Sequence, residues 1–431
     1  AHAQDDADLQ TAQAMCRAGL AESAIAYVTQ RRELSSEDRE LAAKWTMILM
    51  ECHAQAGLFA QSNADASWEL CRSVYTEFTQ ADADNPRQPW LQWQLARCEL
   101  LHAQADTAQY LAAPANAQPR EQSLARIRQI LIALESLEDD LKQRQPLAAR
   151  EGTQGGTQAP ARQLAALAVD VGLLRCESLL LRMRLYPRGS ADRIASAAEV
   201  EQQATAILQR TEPDWASRAQ LQLAAATARL ELGQETVALR ALEQLAISAD
   251  NRQARRQAAL TAIESLTYIQ PLDEQSTAPT DGQLSARISR GHALLANLQS
   301  DDSGPEVKLA ELQLSLADIS RTAGVGQQSE QQTALQTLVE KSQRLGNQYG
   351  AYWQSRAEAL LVGPIGAATG NGSPTLSNDL MMVAVRQLLA AGNITEAVDK
   401  LLAFRDHEAA AGRGDSAVRS ASQAAALLQQ Q

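Results

Sequence analysis

Apolar residues recur at intervals of three and four along most of the chain. Leu124, Ile127, Ile130, Leu131 and Leu134 form one stripe, and Leu309, Leu312, Leu314, Leu316 and Ile319 form a wider one. This spacing predicts amphipathic helices with one buried face. Alternating Val/Ile/Thr segments joined by Asn-Gly turns are missing, so β structure is expected to be close to zero.

Two kinds of break interrupt the stripes. Single glycines stand between apolar runs at Gly19, Gly57, Gly233 and Gly392, which suits tight helical hairpins. Longer Pro/Gly/Ser/Thr-rich stretches at 112–120, 144–161, 270–282, 299–305 and 362–377 read as surface loops. Reversal at nearly every break predicts about seven or eight antiparallel helix pairs in one array over 1–431, with an optional sub-boundary at 144–161. The last helix, ending Leu427-Leu428-Gln-Gln-Gln431, is expected to lack a partner and to turn Arg419, Ser420 and Gln423 outward as a cap.

Three local patterns repeat. The first is Gly-x4-Ala, at Gly19/Ala24, Gly233/Ala238 and Gly392/Ala397, with Ser62 in the Ala position after Gly57. Glycine takes the left-handed conformation that ends one helix, and a small residue in the next first turn lets the two helices approach. The second is Arg-x-Glu, at Arg97/Glu99, Arg175/Glu177 and Arg229/Glu231. The third is tryptophan near the start of the first helix of a pair, at Trp45, Trp90, Trp215 and Trp353, with Asn85-Pro86 and Glu212-Pro213 ahead of two of them.

At these residues the chain resembles the tetratricopeptide repeat family, whose unit of about 34 residues carries an early Trp, a Gly–x–aromatic–x–x–Ala turn and a closing Pro. The best copy runs from Trp215 through Gly233 and Ala238 to Asp250, and the next from Asp379 through Gly392 and Ala397 to Phe404. The aromatic position of the turn holds Ala21, Glu235 and Ile394 here. The resemblance implies an all-α right-handed superhelix (an α-solenoid) of antiparallel helix pairs, whose first helices line a concave, ligand-holding face.

Composition narrows the function. Acidic residues outnumber basic ones by 51 to 39 in 431 residues, for a net charge of −12, which argues against nucleic acid as a partner. Aromatics are 4% of the chain, few for a sugar-binding cleft. The longest uncharged run, 359–378, carries Gly363, Pro364, Gly366, Gly370, Gly372 and Pro374, so no membrane span is expected. Ala1-His2-Ala3 has the small-x-small pattern found beside a signal-peptidase cut, which points to export to the periplasm or cell envelope. The five cysteines are Cys16, Cys52, Cys71, Cys98 and Cys176. They read as buried thiols inside helices, with a Cys52–Cys71 bridge as the alternative.

Catalytic patterns do not assemble. The histidines His2, His53, His102, His292 and His407 are far apart, with no HExxH. The Gly-rich stretches at 152–156 and 363–372 lack the GK[ST] ending and a preceding strand. Glu138-Asp139-Asp140 and Asp301-Asp302 are read as solvated acids at helix ends or in loops. No enzyme activity, cofactor or metal is therefore expected. Residues two apart on a helix point about 200° from each other. One member of each Arg-x-Glu can thus face a groove while the other faces a neighbouring helix. A row of Arg97, Arg175 and Arg229 would suit an acidic peptide or a terminal carboxylate, with inter-repeat ion pairs as the competing role. Trp90 and Trp93 are candidate contacts beside them.

The expected function is a non-enzymatic envelope scaffold that binds a protein or peptide along its concave face. The alternative is the helical platform of a peptidoglycan- or glycan-processing enzyme whose catalytic domain lies elsewhere.

Overall fold

The computed structural model describes residues 2–35, 37–59, 64–112, 114, 116–153, 159–212, 215–268, 280–299, 304–322, 328–369, 378–390, 392–410 and 412–428. Among them there are eighteen α-helices and no strand. They group into two compact units. One comprises Ala1–Gln109 and Gln118–Gly233, and the other Tyr110–Ala117 and Gln234–Gln431. The main division thus falls at the Gly233 turn, while Tyr110–Ala117, which includes the last three residues of α5, belongs with the second unit.

The first unit begins with α1 (His2–Arg17), α2 (Ala21–Leu34), α3 (Arg39–Phe59) and α4 (Ala64–Ala81). It continues with α5 (Gln88–Ala112), α6 (Gln118–Thr153), α7 (Ala159–Arg184), α8 (Ala191–Leu208) and α9 (Arg218–Glu231). The second holds α10 (Glu235–Ser248), α11 (Arg252–Thr267), α12 (Asp281–Gln299), α13 (Pro305–Thr322) and α14 (Gln328–Tyr349). It ends with α15 (Ala351–Thr369), α16 (Asn378–Ala390), α17 (Ile394–Ala410) and α18 (Gly414–Leu428).

Helices pack on their sequence neighbours and on the helix two steps along, as α1 does on α3, α7 on α9, α11 on α13 and α13 on α15. Such a pattern puts alternate helices in the same layer, as in helical-repeat arrays. The interfaces are built from small residues. Ala197, Ala204, Ala224, Ala225 and Ala228 are all buried in the α7–α9 core, and Ala254, Ala258, Ala259 and Ala262 are buried in α11.

The glycine turns divide into two classes. Gly19, Gly233 and Gly392 have φ of 78°, 76° and 76°, so they end helices as the sequence pattern predicts. At Gly19 the amide of Leu20 donates to Met15 O (3.0 Å) and that of Gly19 to Cys16 O (3.1 Å). This is the Schellman closure of a helix end, and it recurs at Gly392 and Gly412. Gly57 differs, because α3 runs through it to Phe59. Its role is contact: a Cβ there would stand 2.6 Å from Trp68 Cε2 of α4. The turn expected at Gly57 is therefore a notch that lets α3 and α4 close on each other.

Two expected loops are helical over their described residues. Residues 144–153 belong to α6, which continues past Pro146, and 362–369 belong to α15. Packing of α6 on α7 outweighs the single hydrogen bond lost at Pro146. Residues 154–158, 269–279, 300–303 and 370–377 lie outside the described residues, as do parts of the loops expected there. The closing helix α18 packs on α17 rather than standing alone. Ser420 is buried, its hydroxyl donating to Ser416 O, whereas Arg419 and Gln423 are exposed as expected.

Alanine is the better helix former by about 1 kcal/mol, so Gly57→Ala separates propensity from packing. Trp68 is buried and held from behind by a stacked ring, so the clash should dominate. Gly57→Ala is expected to destabilise by about 1–3 kcal/mol, read as a lower urea midpoint by far-UV circular dichroism. Gly19→Ala, with nothing near its Cβ, should lose only the backbone term of about 1 kcal/mol.

Candidate functional site

The three Arg-x-Glu copies do not occupy equivalent environments. Arg97 lies 3.6 Å from Glu51 of α3 with its side chain 42% exposed, while Glu99 faces Arg72 of α4 and Arg126 of α6. Arg175 stands between Glu138 of α6 and Glu199 of α8, at 3.4 and 3.3 Å. Arg229 is 2.9 Å from Glu201 of α8, and Glu231 takes two hydrogen bonds from Arg193. Five of the six charges thus touch an opposite charge on another helix.

Glu177 is the sixth. It is exposed, and no ion pair joins it among the described residues. Even so, surrounding protein raises its carboxyl above the ordinary range, and Arg97 of α5 partly offsets this. Asp170, seven residues earlier and on the same face of α7, is also shifted upward by burial.

On α5, Trp90, Trp93 and Arg97 follow helical spacing, and Arg97 is within electrostatic reach of Glu177. Trp90 and Trp93 are half-buried. The Arg87 guanidinium stacks over the Trp90 ring at 4.8 Å and that of Arg97 over Trp93 at 5.7 Å. Trp93 Nε1 is enclosed and has no hydrogen-bond partner. The α5 and α7 residues together carry two indoles, a loosely paired guanidinium and the carboxylates of Asp170 and Glu177, the latter in electrostatic reach of Arg97. Such a face can hold a peptide by stacking and hydrogen bonding.

Behind α5 lies a polar cluster that sequence reasoning missed. Trp68 of α4 stacks on His102 of α5, with centroids 4.4 Å apart and planes 8° from parallel. Arg72 donates to Glu99 at 2.6 and 3.1 Å and approaches His102 Nδ1 at 3.4 Å. Arg126 donates to Asp106 at 3.0 Å, and His102 Nε2 lies 3.9 Å from Asp106. Burial, assisted by Arg126, lowers the His102 pKa to about 4. Burial raises that of Asp106 against the pull of Arg126. With both His102 and Asp106 buried, these groups fix the register of α4, α5 and α6 and cannot meet a substrate. The legible signal was Arg72 and Glu99 on facing stripes, but their register appears only in three dimensions.

The cysteines depart from the sequence expectation. Cys16 and Cys52 are joined in a disulfide, Cα to Cα 5.7 Å, tying α1 to α3. They are therefore not thiols, and Cys52 does not pair with Cys71. The reason is topological: α1 packs directly on α3, which brings residues 36 apart into bonding range. Cys71, Cys98 and Cys176 are buried thiols, as expected. Burial pushes the Cys176 thiol up to about 12, which leaves it inert.

Other settings for chemistry are sparse. Among the described residues no group of three His, Cys, Asp or Glu could hold a metal ion. A shallow depression of about 560 Å³ is lined by Arg32, Arg39, Phe78 and Asp82. There Arg39 already donates to Asp82 through two nitrogens. No described helix is long and apolar enough to cross a membrane.

His102 gives the polar cluster a pH signature. Its folded pKa of about 4 lies below the ordinary 6.5, so the unfolded chain binds the extra proton between those values. Stability should therefore be full above pH 6.5 and fall as pH drops toward 4, by on the order of 2 kcal/mol. His53, also lowered by burial, adds in the same direction. Urea midpoints measured from pH 7 to 4.5 should show a shallower fall in His102→Gln than in the wild type. Equal slopes would place the acid sensitivity elsewhere. Compared with known proteins, the chain matches no family profile and no curated protein.

Proposed function

We propose that this chain is a non-enzymatic scaffold that holds a protein or peptide partner along the face shared by α5 and α7. The carrying observation is the α5 stripe of Trp90, Trp93 and Arg97, where guanidinium groups lie over both indoles and Trp93 Nε1 has no hydrogen-bond partner. This supports a binding face of polar and aromatic side chains, with Glu177 of α7 in electrostatic reach of Arg97. The neighbour-to-neighbour packing and the left-handed glycine turns support degenerate tetratricopeptide-like units. In that reading they wind into a right-handed superhelix with the first helices inside. The Cys16–Cys52 bridge supports an oxidising compartment such as the periplasm or cell envelope.

Within this proposal the three arginines divide. Arg97, loosely paired and beside Trp93, contacts the partner together with Trp90 and Trp93. Arg175, held between Glu138 and Glu199, and Arg229, paired with Glu201, bind the helices to one another and contribute to the ligand face only through its shape.

The partner is to be identified by crosslinking the full-length protein in its native cell, followed by mass spectrometry of the envelope fraction. Arg97→Ala and Trp93→Ala should then reduce partner affinity by about tenfold or more. Arg97→Ala should shift stability by no more than about 0.5 kcal/mol. Arg175→Ala should instead cost about 1–2 kcal/mol of stability with little change in affinity per folded molecule. Retention of glycan or peptidoglycan fragments, with no stoichiometric protein, would replace this reading with that of an enzyme's helical platform.

A further inference from the structure

Cys71 and Cys98 sit where α4 and α5 are locked in antiparallel register. Trp68 stacks on His102, and Arg72 makes a two-pronged bond to Glu99 at 2.6 and 3.1 Å. These two contacts fix the alignment in successive layers: 68 faces 102, and one turn further along α4, 72 faces 99. Cys71 and Cys98, each one residue before a member of the second pair, lie in that same layer. Both cysteines are 2% exposed, in the same core as Cys16 and Cys52. Proximity to Cys71 is the largest influence raising the pKa of the Cys98 thiol.

We propose that Cys71 and Cys98 form a second disulfide, so that one bridge joins α1 to α3 and another joins α4 to α5, leaving Cys176 reduced. The odd count of five then resolves into two pairs and one isolated thiol. The pairing uses neighbouring helices and needs no rearrangement of the stack and salt bridge that flank it.

The oxidant is a disulfide, either a small molecule or one carried by an oxidoreductase. One cysteine thiolate attacks a sulfur of that disulfide, forming a mixed disulfide and releasing one thiol. The second cysteine thiolate then attacks the bonded cysteine sulfur and releases the other thiol. Two cysteine thiols lose two protons and two electrons, and one external disulfide becomes two thiols. Attack requires both thiolate character and access. The contact with Cys71, followed by burial, holds the Cys98 thiol well above its ordinary pKa in the packed core. The bond therefore closes while the chain is folding, before α4 and α5 exclude the oxidant.

In the cell the bond depends on the oxidising compartment invoked for the proposed function, but the pairing itself can be tested apart from it. Full-length chain, reduced and unfolded, is refolded in a mixture of reduced and oxidised glutathione. It is then unfolded in N-ethylmaleimide without reductant. Intact mass should show one maleimide per chain, and peptide mapping should place it on Cys176. The same map should show a linked Cys71–Cys98 peptide pair beside Cys16–Cys52. Three maleimides, on Cys71, Cys98 and Cys176, would overturn the proposal, as would a bridge from Cys71 or Cys98 to any other cysteine. A Cys16→Ala/Cys52→Ala variant gives a second measurement. It too should take up one maleimide, and its melting temperature should fall by several degrees on reduction. Three maleimides with no response to reductant would again refute the pair. If that variant does not fold, the wild-type map alone decides.

Discussion

Close approach between small-residue helix faces is the constraint on which the rest of this structure depends. A buried alanine removes far less apolar surface from water than a leucine, and burial contributes roughly 25 cal/mol per Å². Faces built from Ala197, Ala204, Ala224, Ala225 and Ala228 must therefore come near enough for their backbones to pack. Gly57 carries the same logic further, surrendering even its Cβ so that Trp68 can lie against α3. The few large aromatic rings act as local keystones between thin walls of alanine and leucine.

Small residues pack well but discriminate poorly between registers, because one alanine face slides on another at little cost. Paired charges supply the missing specificity. Arg193 and Glu231 meet through two hydrogen bonds of 2.7 and 2.5 Å, as do Arg386 and the buried Glu358, at 3.1 and 2.6 Å. Desolvation offsets much of the attraction in such pairs, so their net contribution to stability is small. Losing one partner is costly, however, and a register that separates the charges is penalised. Arg72, Glu99, Arg126 and Asp106 apply this rule to three helices at once.

The helical character of the chain was legible because 3.6-residue periodicity is a local property. The turns at Gly19, Gly233 and Gly392 were legible for a related reason: only glycine takes their backbone conformation cheaply. Gly57 carries the same residue and was misread, because a missing side chain serves contact as well as it serves a turn. Pro146 and the glycines of α15 misled in the opposite direction, since tertiary packing can carry a helix through a local breaker. Of the candidate face, its residues could be named from sequence but their partners could not. Arg97, Arg175 and Arg229 share a motif, yet their neighbours come from different helices in different registers. Glu177 drew attention only as the companion of Arg175, and its electrostatic link to Arg97 joins it to α5, which lies far away in sequence. The Cys16–Cys52 bridge was hidden for the same reason, being set by the contact of α1 with α3.

That bridge also gives the array a direction. Where each helix leans mainly on its neighbours, helices can be lost one after another like teeth of a zip, starting wherever the row is least supported. Cys16–Cys52 encloses α2 in a covalent ring, so unzipping that starts on the α1 side stalls at the bond. Helices α17 and α18 have no comparable clasp among the described residues. Under mechanical load or during threading into a protease, the two sides of the molecule are therefore unequal: one yields turn by turn, and the other resists as a knot would.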